Sequence, residues 1–172
     1  METKSREVVE QGQRVVGIDP GLNITGYGVL ELTAAGPRLV EAGVIRGGRG
    51  RSLDSRLREI HQGLCEILEL FQPVSMALEE LYSHYERPRT AILMGHARGV
   101  ICLAAASREI PVVPYAATQI KRLLTGNGRA PKSQMQLAVC RELRLHQMPD
   151  PPDVADALAI ALCHLHLARV RH

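Results

Sequence analysis

The chain has 172 residues and a mass of 18.9 kDa, which is enough for one domain with a substantial core. Hydrophobic residues make up 45% and charged residues 23%, which excludes a disordered or collagen-like chain. The net charge of +3 is too small to indicate nucleic-acid binding by itself, but residues 84–132 hold eight bases and two acids, a net charge of +6, against −3 elsewhere.

The first thirteen residues mix charged and amide side chains without an apolar stretch. They lack the hydrophobic core of a secretion signal, and no apolar run elsewhere approaches the length of a membrane span. We therefore predict a flexible arm over residues 1–13 and a single cytoplasmic domain over residues 14–172. The four cysteines are scattered without a C-x-x-C pair, so they are predicted to be buried, reduced thiols.

Three strands are predicted at the start of the domain. A β-branched run from Val15 to Ile18 ends at the turn Asp19-Pro20-Gly21, which places an aspartate at the carboxyl end of a buried strand. Residues 25–32 and 39–46 are predicted to be two further strands, because a Gly-Pro turn separates them. We expect these three segments to form an antiparallel meander.

The hydrophobic period then changes to three and four residues between Leu53 and Phe71, which predicts an amphipathic helix with Ser52 as its N-cap. Residues 74–78 follow as a short buried strand that ends in Glu79 and Glu80. A strand, helix and strand in this order favour a parallel crossover. Two strands of one sheet would then end in acids at the same edge.

The second half of the chain is predicted to be mainly helical. A helix over about residues 90–109 carries Gly95 and Gly99 one turn apart, and a fifth strand follows at residues 111–115. Further helices are predicted over residues 118–124, 133–143 and 153–170.

The acidic residues form the pattern most informative about chemistry. Asp153 and Asp156 lie three residues apart at the start of the last predicted helix, so their side chains share one face. If that helix begins at the edge that holds Asp19 and Glu79, four carboxylates converge. Such a cluster requires cations, and carboxylate oxygens select Mg²⁺ or Mn²⁺. Two ions about 4 Å apart can activate a water and stabilise the leaving oxygen of a phosphodiester.

Each acid taken alone has a structural explanation. Asp19 before Pro-Gly suits a turn, Asp153 suits a helix N-cap, and Glu79 suits a solvated strand end. Their joint placement favours a metal site. His164 and His166 do not add to that site, because residues two apart on a helix face different directions, and His164 is interpreted as a packed or capping residue.

Six motifs then resemble, in order and spacing, those of the RuvC family of Holliday junction resolvases, over residues 15–167. They are Gly17-Ile18-Asp19-Pro20-Gly21, Thr25-Gly26-Tyr27-Gly28-Val29, Leu78-Glu79-Glu80-Leu81-Tyr82, Gly95-His96-Ala97-Arg98-Gly99-Val100, Lys132-Ser133-Gln134 and Asp153-Val154-Ala155-Asp156-Ala157-Leu158-Ala159-Ile160-Ala161. The first motif alone is also typical of actin-like proteins and sugar kinases, whereas the full series is specific.

The resemblance implies a ribonuclease H-like α/β fold, with a five-stranded mixed sheet flanked by helices. It implies that Asp19, Glu79, Asp153 and Asp156 are catalytic acids that bind two Mg²⁺ ions, with Mn²⁺ as an alternative. The expected activity is symmetric nicking of four-way DNA junctions in recombination and repair, leaving 5′-phosphate and 3′-hydroxyl ends. The expected partners are a second copy of the chain and the branch-migration proteins RuvA and RuvB.

The resemblance also suggests which residues contact DNA. Lys121 and Lys132 match basic positions of the family, and Tyr82 stands where the family carries an aromatic residue near the junction centre. Arg87 and Arg89 make the following loop more basic than in typical members. The alternatives are a solvated helix face for the lysines and packing of Tyr82 beneath its own loop.

The helix that carries Gly95, Ala97 and Gly99 contributes to the dimer interface in the resembled family. Its small side chains suit close approach by another helix, and close packing against its own sheet is the alternative. A two-fold dimer would match the approximate two-fold symmetry of a four-way junction.

Two other functions are compatible with parts of the pattern. An actin-like ATPase or sugar kinase would use the Asp-x-Gly turn to hold phosphates, but that architecture needs two such domains, and 172 residues supply one. A module that binds junctions without cutting them would need only the basic segment, and it leaves the four acids unexplained.

Overall fold

The computed structural model describes residues 8–81 and 88–168. Within these ranges the chain forms five strands and five helices, and none of these helices is long and apolar enough to cross a membrane. In chain order they are β1 (Arg14–Asp19), β2 (Ile24–Thr33), β3 (Gly36–Arg46), α1 (Leu53–Phe71), β4 (Ser75–Glu79), α2 (Pro88–Ala106), β5 (Val112–Tyr115), α3 (Ala117–Thr125), α4 (Lys132–Leu143) and α5 (Pro152–Ala168).

The strands form one mixed sheet in the order β3-β2-β1-β4-β5. The pairs β1–β2 and β2–β3 are antiparallel, and the pairs β1–β4 and β4–β5 are parallel. The predicted meander and parallel crossover are therefore confirmed. Four strands end and β2 begins at one edge of the sheet, which we call the acid edge because Asp19 and Glu79 lie there.

The sheet separates two helical layers. Helices α1 and α2 pack together on one face, over a core of Ile18, Ile60 and Leu64. Helix α5 crosses the other face and contacts four strands, while α3 and α4 cover its outer side. Because both of its sides are covered, α5 is buried almost throughout from Val154 to Leu165.

Glycines allow α5 to lie directly on the sheet. A β-carbon added at Gly17 would lie 2.3 Å from the carbonyl oxygen of Ala157, and one added at Gly26 would lie 2.2 Å from that of Asp153. Contacts this short with backbone atoms cannot be relieved by rotating a side chain. Glycine at these positions therefore fixes how closely the helix approaches β1 and β2.

The predicted flexible arm over residues 1–13 includes residues that the structure packs against the domain. Val9 is only 4% exposed and belongs to the core beneath α5. The Gly12 N–H donates a hydrogen bond to the Leu32 carbonyl at 2.7 Å, and the Leu32 N–H donates to the Gln13 carbonyl at 3.0 Å. Residues 8–13 are thus held against the end of β2, and residues 1–7 lie outside the described ranges.

Two other details differ from the sequence predictions. Helix α2 ends at Ala106 rather than near residue 109, because Glu109 adopts a left-handed conformation with φ of 56°. All four cysteines are free, but only Cys163 is buried, and burial raises the pKa of its thiol to about 12. The prediction of buried thiols is wrong for Cys65, Cys102 and Cys140, which are half-buried.

Candidate active site

Two parallel strands deliver the first two acids. Asp19 is the last residue of β1 and Glu79 is the last residue of β4. Ile18 and Leu78 are register partners, so the acids that follow them lie side by side on neighbouring strands, which are about 4.8 Å apart. The turn after β1 and the strand end after β4 therefore place two carboxylates together.

Helix α5 delivers the other two acids. Asp19 pairs in register with Gly26, and the backbone of Asp153 packs directly on Gly26. Asp153 lies inside the first turn of the helix, so it is not the N-cap, and Asp156 follows three residues later. The structure thus brings side chains from three distant segments of the chain to the acid edge.

A cleft of about 230 Å³ opens between these elements. Asp19, Glu79 and Asp156 line it, and Asp153 lies beside it rather than in its wall. Two cations face the acids across the cleft, Lys121 from α3 and Lys132 from the start of α4.

Electrostatics show that the acids interact. Burial raises the pKa of Asp19 to about 7, and repulsion by Glu79, Asp156 and Asp153 adds to this rise, while Lys132 opposes it. Burial also raises the pKa of Glu79, with a further contribution from Asp156. The cleft therefore holds more negative charge than its own lysines neutralise.

Lys132 partly neutralises the cluster. Its Nζ donates a hydrogen bond to Asp156 Oδ2 at 2.8 Å, and this bond raises the pKa of the lysine. Within the described ranges, no three acidic, histidine or cysteine side chains are close enough together to form a ready-made metal site. The donor chemistry nonetheless fits a hard cation, because all four side chains are carboxylates.

Sequence reasoning missed one residue of the site. Arg98 on α2 donates a hydrogen bond from Nη1 to the backbone carbonyl of Glu79, and its charge opposes the rise that burial causes in the pKa of the Glu79 carboxyl. Arg98 thus holds the end of β4 from the layer of α1 and α2, on the face of the sheet opposite α5. Arg98 stands in the basic segment and in the fourth family motif, but the sequence predicts no contact for it, because a contact between residues 19 positions apart leaves no local signal.

The other predicted site residues are placed as follows. Lys121 and Lys132 line the cleft together with the acids, and 56% of the Lys132 side chain is exposed, so their contact with DNA stays a prediction. Arg89 is exposed in the first turn of α2. Tyr82 and Arg87 lie outside the described residues.

The small residues of α2 do not share one face. Ala97 is buried against the core, whereas Gly95 and Gly99 are exposed. A β-carbon added at either glycine would have no neighbour within 4 Å among the described residues. The alternative that this helix packs its small residues against its own sheet is therefore wrong for Gly95 and Gly99, whereas Ala97 does pack into the core beside the sheet.

His164 is a packed core residue, as interpreted from the sequence. Its Nε2 lies 2.7 Å from Ser75 Oγ and its Nδ1 lies 2.8 Å from the hydroxyl of Tyr115. Burial lowers the pKa of His164 to about 4, so the ring is neutral at physiological pH. His166 pairs with Glu142 on α4 instead.

A mixed five-stranded sheet of this order, flanked by helices and bearing acids at two strand ends and at the start of the last helix, is of the ribonuclease H-like class, which solved Holliday junction resolvases share. The family model for "Crossover junction endodeoxyribonuclease RuvC" matches residues 15–164. The chain therefore belongs to the RuvC family of crossover junction endodeoxyribonucleases, as its motifs suggested.

Individual relatives agree with this assignment. The chain is 60% identical over 156 residues to crossover junction endodeoxyribonuclease RuvC of Rhodopirellula baltica, covering 90% of this chain and 86% of the relative. It is 45% identical to the protein of the same name from Desulforamulus reducens, covering 87% and 91%. A structure of T. thermophilus RuvC in complex with Holliday junction substrate superposes with a TM-score of 0.85 at 35% identity, covering 91% of this chain and 95% of that one.

Proposed function

We propose that this chain nicks four-way DNA junctions by hydrolysing one phosphodiester in each of two strands of like polarity. Cleavage would leave 5′-phosphate and 3′-hydroxyl ends in recombination and repair. The observation that carries the proposal is the meeting of Asp19, Glu79, Asp153 and Asp156 at one sheet edge, from three segments of the chain. A module that only binds junctions would have no use for such a cluster.

The four acids are proposed to hold divalent cations, two Mg²⁺ ions per site with Mn²⁺ as an alternative. Nucleases of this family are metal-dependent. The carboxylate donors suit a hard cation, and the buried Asp19 lies among three other acids whose repulsion a cation would relieve. When bound, such ions activate a water molecule and stabilise the departing oxygen of the phosphodiester.

Each residue of the site is proposed to have a role that follows from its position. Asp19 holds one or both ions because it is the acid that all the others surround. Glu79 and Asp156 complete the coordination, and Asp153, beside the cleft, binds a cation or orients the attacking water. Lys121 and Lys132 draw the DNA phosphate toward the acids, which would otherwise repel it.

A homodimer is proposed as the acting form. The outer face of α2 exposes Ile92 and Leu103, at 62% and 57%, beside Gly95 and Gly99. A second copy packed on this face would bury these apolar side chains and supply two active sites related by a two-fold axis. RuvA and RuvB as partners, and a cytoplasmic location, are proposed on family membership alone.

Junction cleavage by an Asp19→Asn variant tests the proposal. We expect cutting to fall by at least about a thousandfold. Bound metal ions lower the activation free energy by several kcal/mol, each 1.4 kcal/mol is about tenfold in rate, and Asp19 is proposed to hold these ions. Junction binding should persist, because the substitution removes a charge that repels phosphate. Asp54→Asn is the matched control, because Asp54 is an exposed acid at the start of α1. Full activity of Asp19→Asn, or symmetric nicking without divalent cations, would contradict the proposal.

A further inference from the structure

We propose that the segment Arg46 to Arg51, here called the arginine loop, binds the DNA backbone on the side of the acids opposite Lys121 and Lys132. The loop has the sequence Arg-Gly-Gly-Arg-Gly-Arg and joins β3 to α1. The inference rests on the proposed function and extends its DNA-binding surface. The ligand is a sugar-phosphate backbone, recognised through its charge rather than its sequence.

The sheet register places the loop near the acids. Asp19 pairs with Gly26, Gly26 pairs with Val44, and Arg46 lies two residues beyond Val44 at the end of β3. With neighbouring strands about 4.8 Å apart and about 3.4 Å per residue, Arg46 lies roughly 12 Å from Asp19 along the acid edge. The lysines lie on the other flank, where α3 and α4 meet the cleft.

The loop is held against the turn that follows Asp19. The Gly47 N–H donates a hydrogen bond to the Asn23 carbonyl at 3.0 Å, and Arg56 on α1 donates to Asn23 Oδ1. A β-carbon at Gly47 would lie 2.3 Å from the carbonyl oxygen of Leu22, so the two backbones are in close contact. The position of the loop relative to the acids is therefore fixed by direct contacts.

The charges of the loop are largely unused within the chain. Arg46, Arg49 and Arg51 are exposed, and within the described ranges neither Arg46 nor Arg49 has a carboxylate at ion-pair distance. Arg51 pairs with Glu59 at 3.0 Å, but an exposed pair contributes at most about 1 kcal/mol, so a phosphate can compete for this arginine. Residues 46–58 hold five arginines and Asp54, a net charge of +4.

These features fit a phosphate backbone better than a solvated loop. A DNA strand whose phosphate enters the acidic cleft is repelled there unless bases hold it on both sides. The arginine fork matches phosphate oxygens in a bidentate manner. Phosphates of one strand are separated both by the rise along the helix axis and by rotation about it, so roughly 12 Å corresponds to a phosphate about two nucleotides from the cleaved one.

The salt dependence of junction binding tests the inference. Arg46→Gln/Arg49→Gln protein is compared with wild type in buffer without divalent cations, by fluorescence anisotropy at several salt concentrations. We expect about tenfold weaker binding and a slope of log K against log salt smaller by about 2, since each lost phosphate contact removes about 0.9. Arg46→Lys/Arg49→Lys should recover most of the slope because it keeps the charge.

A matched control removes two exposed charges away from the acid edge. Arg38 lies at the opposite end of β3, and Arg141 lies nine residues along α4 from Lys132, about 14 Å by helix rise. Arg38→Gln/Arg141→Gln should change the slope by much less than 2. Equal changes in the two double variants would mean that only net charge matters, and would overturn the inference.

Neutral phosphates locate the contact. Methylphosphonates placed singly along the cut strand should remove the difference between wild type and Arg46→Gln/Arg49→Gln when they lie about two nucleotides from the cleavage site. If no single position reduces that difference, the loop does not bind the strand backbone. If wild type binds no junction, the proposed function itself is contradicted. If wild type cuts junctions and Arg46→Gln/Arg49→Gln shows the same junction affinity and the same salt slope as wild type, only this inference is overturned.

Discussion

Helices α5 and α2 lie on opposite faces of the same sheet and are of similar length, 17 and 19 residues. Helix α5 is buried on nearly all sides, because the sheet lies beneath it and α3 and α4 lie above it. Helix α2 buries Ala97, Ile101 and Ala104 toward the core but leaves Ile92 and Leu103 exposed. Two apolar helices of one chain therefore differ in whether the chain itself covers them.

The difference separates the two tasks of the proposed enzyme. Asp153 and Asp156 near the start of α5 need a fixed distance from Asp19, and a helix held between the sheet and two further helices provides it. The exposed face of α2 has no covering element within the described ranges, which suits assembly with a second copy. Perturbing the α5 contact should therefore damage fold and chemistry together, while perturbing the exposed face of α2 should change assembly without damaging the fold.

Gly26→Ala should have the largest effect on the α5 side. Its new methyl group would lie 2.2 Å from the Asp153 carbonyl oxygen, so the first turn of α5 must move away from β2. We expect a loss of about 4 kcal/mol in the free energy of unfolding, measured by urea denaturation, because a backbone overlap has no rotamer solution. Cutting should fall even where the protein is fully folded.

Gly43→Ala is the matched control on β3. There the added methyl group would meet the end of the Tyr27 side chain, at 2.8 Å from the hydroxyl oxygen, and that side chain can rotate aside. The loss should be below about 2 kcal/mol. Equal losses for the two glycine variants would show that the contact between α5 and the sheet is not specially constrained.

Local signals made most of this architecture predictable. The hydrophobic period changes where strands give way to helices, and turns such as Asp19-Pro20-Gly21 mark the ends of strands. Acids that directly follow two predicted parallel strands must share an edge, so the meeting of Asp19 and Glu79 followed from topology. The resemblance of the motif series then predicted that Asp153 and Asp156 lie at the same edge.

The features that sequence reasoning missed depend on contacts between distant segments. Val9 is buried because it packs beneath α5, although its polar neighbours indicated an arm. Arg98 reaches the end of β4 from the other layer. The arginine loop was hidden because the charge of the chain outside residues 84–132 sums to −3, and only the fold shows that its arginines lie at the acid edge.

His164, a buried residue of α5, should make the stability of the protein depend on pH. Its pKa is lowered from 6.5 to about 4 in the folded protein, so the unfolded state binds a proton that the folded state excludes between these values. Stability should therefore fall as pH drops from about 6.5 toward 4, by on the order of 3 kcal/mol at most.

Asp19 changes stability in the opposite direction over this range, because its pKa is raised. The quantity to measure is therefore the difference in unfolding free energy between wild type and His164→Gln at each pH. That difference isolates His164, since Asp19 is present in both proteins. A difference that stays constant between pH 4 and 7 would show that the ring is not excluded from protonation.

Leu103→Asp addresses the exposed side of α2. Leu103 is 57% exposed, so a charge at this position costs the monomer little, while a charge buried between two copies without a partner is strongly unfavourable. We expect the dissociation constant of the dimer to rise by about a hundredfold, measured by sedimentation, with an unchanged unfolding curve for the monomer. Leu137→Asp on α4, at a similarly exposed apolar position, is the control and should leave assembly unchanged.

Gly99→Ala should give the smallest effect and the clearest contrast with Gly26→Ala. In the single chain the added methyl group has no neighbour within 4 Å among the described residues, and alanine favours a helix over glycine by about 1 kcal/mol. The monomer should therefore become more stable by about that amount in thermal denaturation. If a second copy packs closely on α2, the same methyl group separates the two helices, and dimer affinity should fall by about fivefold, or about 1 kcal/mol. A more stable monomer with unchanged dimer affinity would place the interface elsewhere, because only close helix packing makes this methyl group unfavourable between copies and favourable within one.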